Sequence, residues 1–121
     1  MSQSLSGRTV EEVLEHHIKY LAEGNLEEVL LDYNDDSYLI NINGIVIGKD
    51  ALKEFFRDSI ENCLPPDTKQ TIEVKRIHGE LAYIVWKAES KYYHVPFGTD
   101  TFVIRGGKII MQSFAGIMKR G

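Results

Sequence analysis

A chain of 121 residues, 43% hydrophobic and 26% charged, carries enough apolar material for one domain with its own core. The net charge of −4 and pI near 5.5 argue against a nucleic-acid partner, because a phosphate backbone needs a basic face. The lone Cys63 cannot close an internal disulfide, no apolar run approaches the ~20 residues that span a bilayer, and Met1–Gly7 has neither the basic start nor the apolar block of a signal peptide. These features predict a cytoplasmic protein without a membrane partner, with residues 1–8 as a loose tail and a single domain over residues 9–121.

Thr9 and Glu12 have the spacing of a capping box and predict a helix start. Val10, Val13, Leu14, Ile18 and Leu21 then form one apolar stripe, and Gly24 closes the helix. Asn25 and Glu28 repeat the capping signal ahead of a short second helix that runs out at Asn34–Asp36. Ser37–Asn43 and Ile45–Ile47 read as two strands around Gly44. A third helix is expected from Lys49 to about Leu64, where Pro65–Pro66 stops it. Four strands follow: 71–77, 81–90, 92–104 with a bend or bulge at Pro96 and Gly98, and 109–118 after the turn Arg105–Lys108. Helices early and hairpin-linked strands late predict an α+β fold with a mostly antiparallel sheet.

Two ionisable residues stand out against this pattern. Asp100 interrupts the apolar strand Phe97–Ile104, and a buried carboxylate costs free energy unless something pairs with it. It is a pocket acid, an outward residue on an edge strand, or a salt-bridge partner. His17 lies on the apolar stripe of the first helix, and it is either a satisfied core histidine or a group that titrates at a working site. Cys63 reads as a buried small hydrophobe. Ile84, Trp86, Ala88 and Ser90 share an uncharged strand face, and Gln112 has the inward parity of the last strand. The acids and histidines lack the tight spacing of a metal site, and no phosphate-cradling or nucleophile-elbow motif occurs, so neither metal nor cofactor is expected.

The order of these elements, with Tyr20–Glu28, Tyr33–Asp36, Gly48–Arg57 and Gly107–Ile109, resembles the nuclear transport factor 2-like (NTF2-like) superfamily. The likeness is to its ketosteroid isomerase and SnoaL-like polyketide cyclase branch. The resemblance implies a cone, or cystatin-like roll, in which a curved sheet wraps three helices around a pocket. It places His17 where the isomerases carry a helix-one tyrosine that donates to an oxyanion, and Asp100 where they carry a late-strand acid, one residue being deleted in the following turn. The family's base position falls on Asn41, an amide that cannot exchange a proton at neutral pH. Tyr33 matches a supporting tyrosine, Phe55 and Trp86 match pocket-lining positions, and Asp100 and Phe102 point inward. The resemblance also implies a homodimer through an outer sheet face that includes Tyr83, Val85, Val103, Ile109 and Met111.

Three functional readings result. His17 and Asp100 are the catalytic pair of a cofactor-independent isomerase, cyclase or dehydratase acting on a small hydrophobic carbonyl compound. Alternatively the pocket holds a hydrophobic ligand through Tyr33, Asn41, Phe55, Trp86, Ser90, Phe102 and Gln112 without chemistry. In the third reading the interior is plugged and the domain only dimerises.

Overall fold

The computed structural model describes residues 5–121. Its elements are α1 (Val10–Glu23), α2 (Leu26–Leu30), β1 (Tyr33–Asn41), β2 (Gly44–Ile47), α3 (Lys49–Asp58), β3 (Lys69–His78), β4 (Leu81–Glu89), β5 (Tyr93–Arg105) and β6 (Lys108–Arg120). The capping box at Thr9 is complete in both directions, and Gly24 ends α1 in the left-handed region with φ 73°. At Asn25 only half of the expected box forms, the side chain accepting from the Glu28 amide. The third helix is regular only to Asp58. Ser59–Cys63 widens into a π-turn before Pro65–Pro66.

The six strands run in the order β2-β1-β6-β5-β4-β3. All neighbours pair antiparallel except β1 and β6, which are parallel. The sheet is open, with β2 and β3 as free edges. β1 begins at Tyr33, four residues before the expected start, because the chain can bulge there. The Asn34 amide donates to Ser37 Oγ (2.9 Å), and Ser37 Oγ donates to the Ile109 carbonyl (2.6 Å).

α1 lies against β3, β4 and β5, and α3 against β1 and β2. Val13, Leu14 and His17 from α1, with Leu52 and Phe56 from α3, meet Leu39, Ile84, Phe102, Ile104 and Ile109 from the sheet. Burying one aliphatic or aromatic side chain of this kind contributes roughly 1.5–3 kcal/mol.

Bulges decide which side chains face this core. The register between β5 and β6 shifts at Pro96, between His94 and Phe97, so Val95 and Gly98 are both buried while His94 and Phe97 are exposed. A second shift, opposite Val103–Ile104, places Ile109 and Gln112 on the same buried side although their parity differs. Ile109 therefore belongs to the core, not to the expected outer face. Tyr83, Val85, Val103 and Met111 do lie on that face, half-exposed.

The expected loose tail is corrected over residues 5–8, while residues 1–4 lie outside the described residues. Leu5–Gly7 form a short 3-10 turn, and Arg8 folds back to donate to Asp32 Oδ1 (2.8 Å) and to the Gly107 carbonyl (2.7 Å). Asp32 is fully buried and also accepts from His16 Nδ1 at 2.9 Å. Burial still raises the Asp32 carboxyl above its ordinary range, because desolvation outweighs the His16 and Arg8 bonds. Arg8→Ala removes a partner from a buried charge, so urea unfolding should show a loss of about 3 kcal/mol. A loss below about 1 kcal/mol would mean that His16 alone satisfies Asp32.

Candidate functional site

Between the concave sheet and the helices lies a cavity of about 510 Å³. Of the residues singled out in the sequence, His17, Asn41, Phe55, Trp86, Asp100, Phe102 and Gln112 line it. Its deep end is closed by His17, Asp100 and Gln112, each at most 8% exposed. Its outer end is ringed by Asn41, Ile42, Asn43 and Gln70, of which Ile42 is 98% exposed.

The sheet register explains how Asp100 is held. Asp100 sits opposite Ile84 on β4 and Phe114 on β6, while Trp86 and Gln112 are its diagonal neighbours on either side. Trp86 faces Gly98, and beyond it Gly116 on β6, so the indole lies in a trough without side chains. A Cβ at Gly98 would stand 2.7 Å from Trp86 Cε2, so only glycine admits the ring. Phe114 stacks on the indole with centroids 5.9 Å apart. Held there, Trp86 Nε1 donates to Asp100 Oδ1 at 2.7 Å, and Gln112 Nε2 donates to Asp100 Oδ2 at 2.8 Å.

The network continues away from the cavity. Tyr33 donates its hydroxyl proton to Gln112 Oε1. Its oxygen stands 3.4 Å from His17 Nδ1. The His17 ring is packed edge-on by Tyr33, Phe56 and Phe102 with centroids 6.1, 5.9 and 5.3 Å away. His17 and Asp100 thus share one cavity but do not touch: Tyr33 and Gln112 lie between them, and Asp100 does not orient the imidazole directly.

Burial acts on the two groups in opposite directions. Desolvation raises the Asp100 carboxyl to about 6, against the opposing pull of the Gln112 and Trp86 hydrogen bonds. Desolvation, helped by neighbouring His16, lowers His17 to about 4. At neutral pH His17 is therefore an uncharged imidazole, and Asp100 is the cavity group that titrates near neutrality. The Tyr33 phenol is pushed well above its usual range, chiefly by burial, and keeps its proton.

Two expected ligand contacts are corrected. Tyr33 is fully buried behind the cavity wall and meets the site through Gln112, His17 and the Phe56 ring. Ser90 lies beyond the end of β4, where its Oγ donates to the Cys63 carbonyl (2.6 Å) and accepts from the Tyr92 and Tyr93 amides. That turn needs the hydroxyl, so strand parity does not carry Ser90 into the cavity. Asn41 does reach the wall, but its Oδ1 is taken by the Asn43 amide at 2.8 Å. Lining residues not foreseen include Phe114 and Cys63. Phe114 shares its parity with Gln112 and was readable on that ground. Cys63 enters through the π-turn, half-buried, its thiol raised mainly by burial and so held protonated. Among the described residues no group of three or more His, Cys, Asp or Glu side chains could hold a metal ion, and no helix is long and apolar enough to cross a membrane.

The two shifts make opposite contributions to stability. The unfolded Asp100 carboxyl, near 3.8, loses its proton before the folded one at about 6, so this group destabilises the fold as pH rises through that window. His17 does the reverse, binding its proton more tightly when unfolded between about 4 and 6.5. Asp100→Asn removes the first contribution alone. Its stability relative to wild type should therefore increase by about 2 kcal/mol between pH 4 and 6.5, most of the effect of a shift of about two pKa steps. Parallel denaturation curves at several pH values check this, and a pH-independent difference would refute the buried, raised carboxyl.

No known family profile matches the chain, and no curated protein matches it. Solved structures do. An NTF2-like protein of unknown function from Cytophaga hutchinsonii superposes with a TM-score of 0.77 at 10% identity, over 97% of this chain and 95% of that one. A proposed ketosteroid isomerase from Kribbella flavida gives 0.75 at 12% identity, over 89% and 77%. A proposed SnoaL-like polyketide cyclase from Shewanella putrefaciens gives 0.72 at 13%, over 96% and 92%. Likeness at such identities establishes architecture and not activity: the chain has the NTF2-like, cystatin-like fold, an α+β roll with a curved, mostly antiparallel open sheet around three helices.

Proposed function

We propose that this protein takes a small hydrophobic carbonyl compound into the cavity and exchanges a proton with it through Asp100, as a cofactor-independent isomerase, cyclase or dehydratase of the SnoaL-like or ketosteroid isomerase-like type. One observation carries the reading: a carboxyl group at the wall of a 510 Å³ cavity, buried and raised to about 6. A group with that value holds both protonation states in useful amounts at neutral pH, which general acid–base catalysis requires. Cavities of this size, mostly apolar with a few fixed polar groups, are typical of small-molecule sites. His17, uncharged, serves as a hydrogen-bonding group and not as the acid of the pair. A plugged interior, the third reading from the sequence, does not fit a cavity of this volume.

Asn41 favours a second reading. An amide stands where the related isomerases carry their base, and its oxygen is committed to the Asn43 backbone. In that reading the cavity binds its ligand and releases it unchanged. Exchange of solvent deuterium into the α-carbons of a panel of cyclic ketones, followed by NMR, separates the two. Catalysed exchange that falls on the order of 10²–10⁴-fold in Asp100→Asn, with the fold retained, supports proton transfer. Saturable binding of a ketone with no exchange above the buffer rate supports the binding module.

The outer sheet face supports pairing with a second copy. Four uncharged cross-strand rows run along it: Leu81–Val103–Met111, Tyr83–Thr101–Ser113, Val85–Thr99–Ala115 and Phe97–Ile117. Leu81 at one end of this face and Phe97 and Ile117 at the other are 46, 48 and 52% exposed, with the hydroxyls of Thr99, Thr101 and Ser113 among the residues between them, an uncharged surface that suits an isologous dimer. Sedimentation at micromolar concentration should give a dimer that Val103→Glu converts to monomer. A wild-type monomer would end the dimer proposal.

A further inference from the structure

The hydrogen-bond network fixes where protons sit at the deep end of the cavity. Asp100 accepts at both oxygens, from Trp86 Nε1 and Gln112 Nε2. An amide that turns its nitrogen to a carboxylate must turn its oxygen the other way, and Gln112 Oε1 takes the hydroxyl proton of Tyr33. A phenol has one proton to give. Tyr33 has spent it on Gln112, so toward His17 it offers only a lone pair, and His17 Nδ1 at 3.4 Å must be the donor. A neutral imidazole protonated at Nδ1 carries its lone pair on Nε2. Among the described residues Nε2 has no protein hydrogen-bond partner, while His17 is 3% exposed and lines the cavity. Asp100 likewise keeps unused acceptor positions, since a carboxylate has about four.

We infer that the deep end of the cavity is an acceptor site, formed by Asp100 and by His17 Nε2, and that the ligand it selects enters with a hydrogen-bond donor: a phenol, an enol or another hydroxyl on an apolar, ring-shaped body. The inference rests on the proposed function only in taking the cavity to be a small-molecule site, and it narrows the compound to its hydroxyl form. Donors are scarce at the deep end. Trp86 Nε1 is committed, and of Gln112 one amide hydrogen remains, which a hydroxyl oxygen can accept while giving its own proton to Asp100 or His17. A ketone oxygen would gain that one hydrogen and leave both acceptors unmet. Among the described residues no Lys or Arg lines the cavity, and the two acids that do are Asp58 and Asp100, so an anionic ligand is disfavoured. Phe55, Phe56, Trp86, Phe102 and Phe114 supply the apolar wall on which a ring stacks.

Calorimetric titration of the whole chain with a naphthol, its methyl ether and the corresponding acetylnaphthalene tests this. Losing a hydrogen bond to a charged acceptor costs about 1.5–3 kcal/mol. The naphthol should therefore bind roughly 10- to 100-fold tighter than either of the others. The ether or the ketone binding as tightly as the naphthol overturns the inference. Binding of none of the three overturns the small-molecule site itself and this inference with it. Preference for the naphthol together with no deuterium exchange into ketones removes proton transfer and leaves the acceptor site standing. A second readout needs no ligand. Nitrogen-15 NMR of His17 should show Nδ1 protonated and Nε2 bare, and the opposite tautomer refutes the wiring. Tyr33→Phe, which removes the acceptor that fixes the tautomer without touching the cavity wall, should raise the Nε2-protonated fraction and narrow the preference for the naphthol.

Discussion

The molecule is organised around keeping one carboxylate inside a protein. Asp100 sits in the middle of the sheet, where an isolated charge would cost many kcal/mol and would simply take up a proton. Two N–H donors, one from each neighbouring strand, hold its value to about 6 rather than higher. Each donor in turn constrains its own strand. Trp86 reaches Asp100 only because Gly98 leaves room for the indole, and Gln112 reaches it only because its oxygen is occupied by Tyr33. Tyr33 stands at the start of β1, and His17, next in line, comes from α1. One buried charge thus ties together three sheet strands, a fourth through Tyr33, and a helix.

The cavity follows from the same constraint. Aromatic side chains that would otherwise meet across the cone are held against its walls: Trp86 flat under Phe114, and Phe56 and Phe102 edge-on to His17. The bulges complete the arrangement. At Pro96 the register shift takes His94 outward to Glu89, with a 3.0 Å contact, so the imidazole does not join Asp100 at the cavity. Near Ile109 the second shift buries that side chain while preserving Gln112 on the inward side. A sheet with a strict period of two would have to give up one or the other.

Much of this was legible in the chain. The element order, the caps at Thr9 and Gly24, the break at Pro96–Gly98, and the inward faces holding His17, Trp86, Asp100, Phe102 and Gln112 follow from periodicity, turn chemistry and the family resemblance. What escaped has a common physical origin. Ile109 was placed outside because parity carries no record of a bulge. Tyr33 is assigned to the ligand by the family resemblance and Ser90 by strand parity, and neither shows whether a side chain's partner is a ligand, a backbone amide or another side chain. The ordering of residues 5–8 depends on Arg8 finding Asp32, 24 residues away, and no local pattern announces such a pair.

The direction of the hydrogen bonds separates this cavity from the oxyanion-stabilising site that the resemblance implied. Stabilising a developing oxyanion takes donors aimed into the cavity, here a helix-one hydroxyl and a protonated acid. This chain has an imidazole at the first position and, at the second, a carboxyl already accepting two N–H groups. The substitution of His17 and the amide at Asn41 are then two sides of one change. In the proposed reading the deep end takes up a proton that a ligand hydroxyl already offers, and Asn41, its oxygen held by the Asn43 amide, has no proton to move. Asp100 alone takes the ligand's proton in that reading, where the isomerases that the chain resembles divide that work between a donor pair and a base.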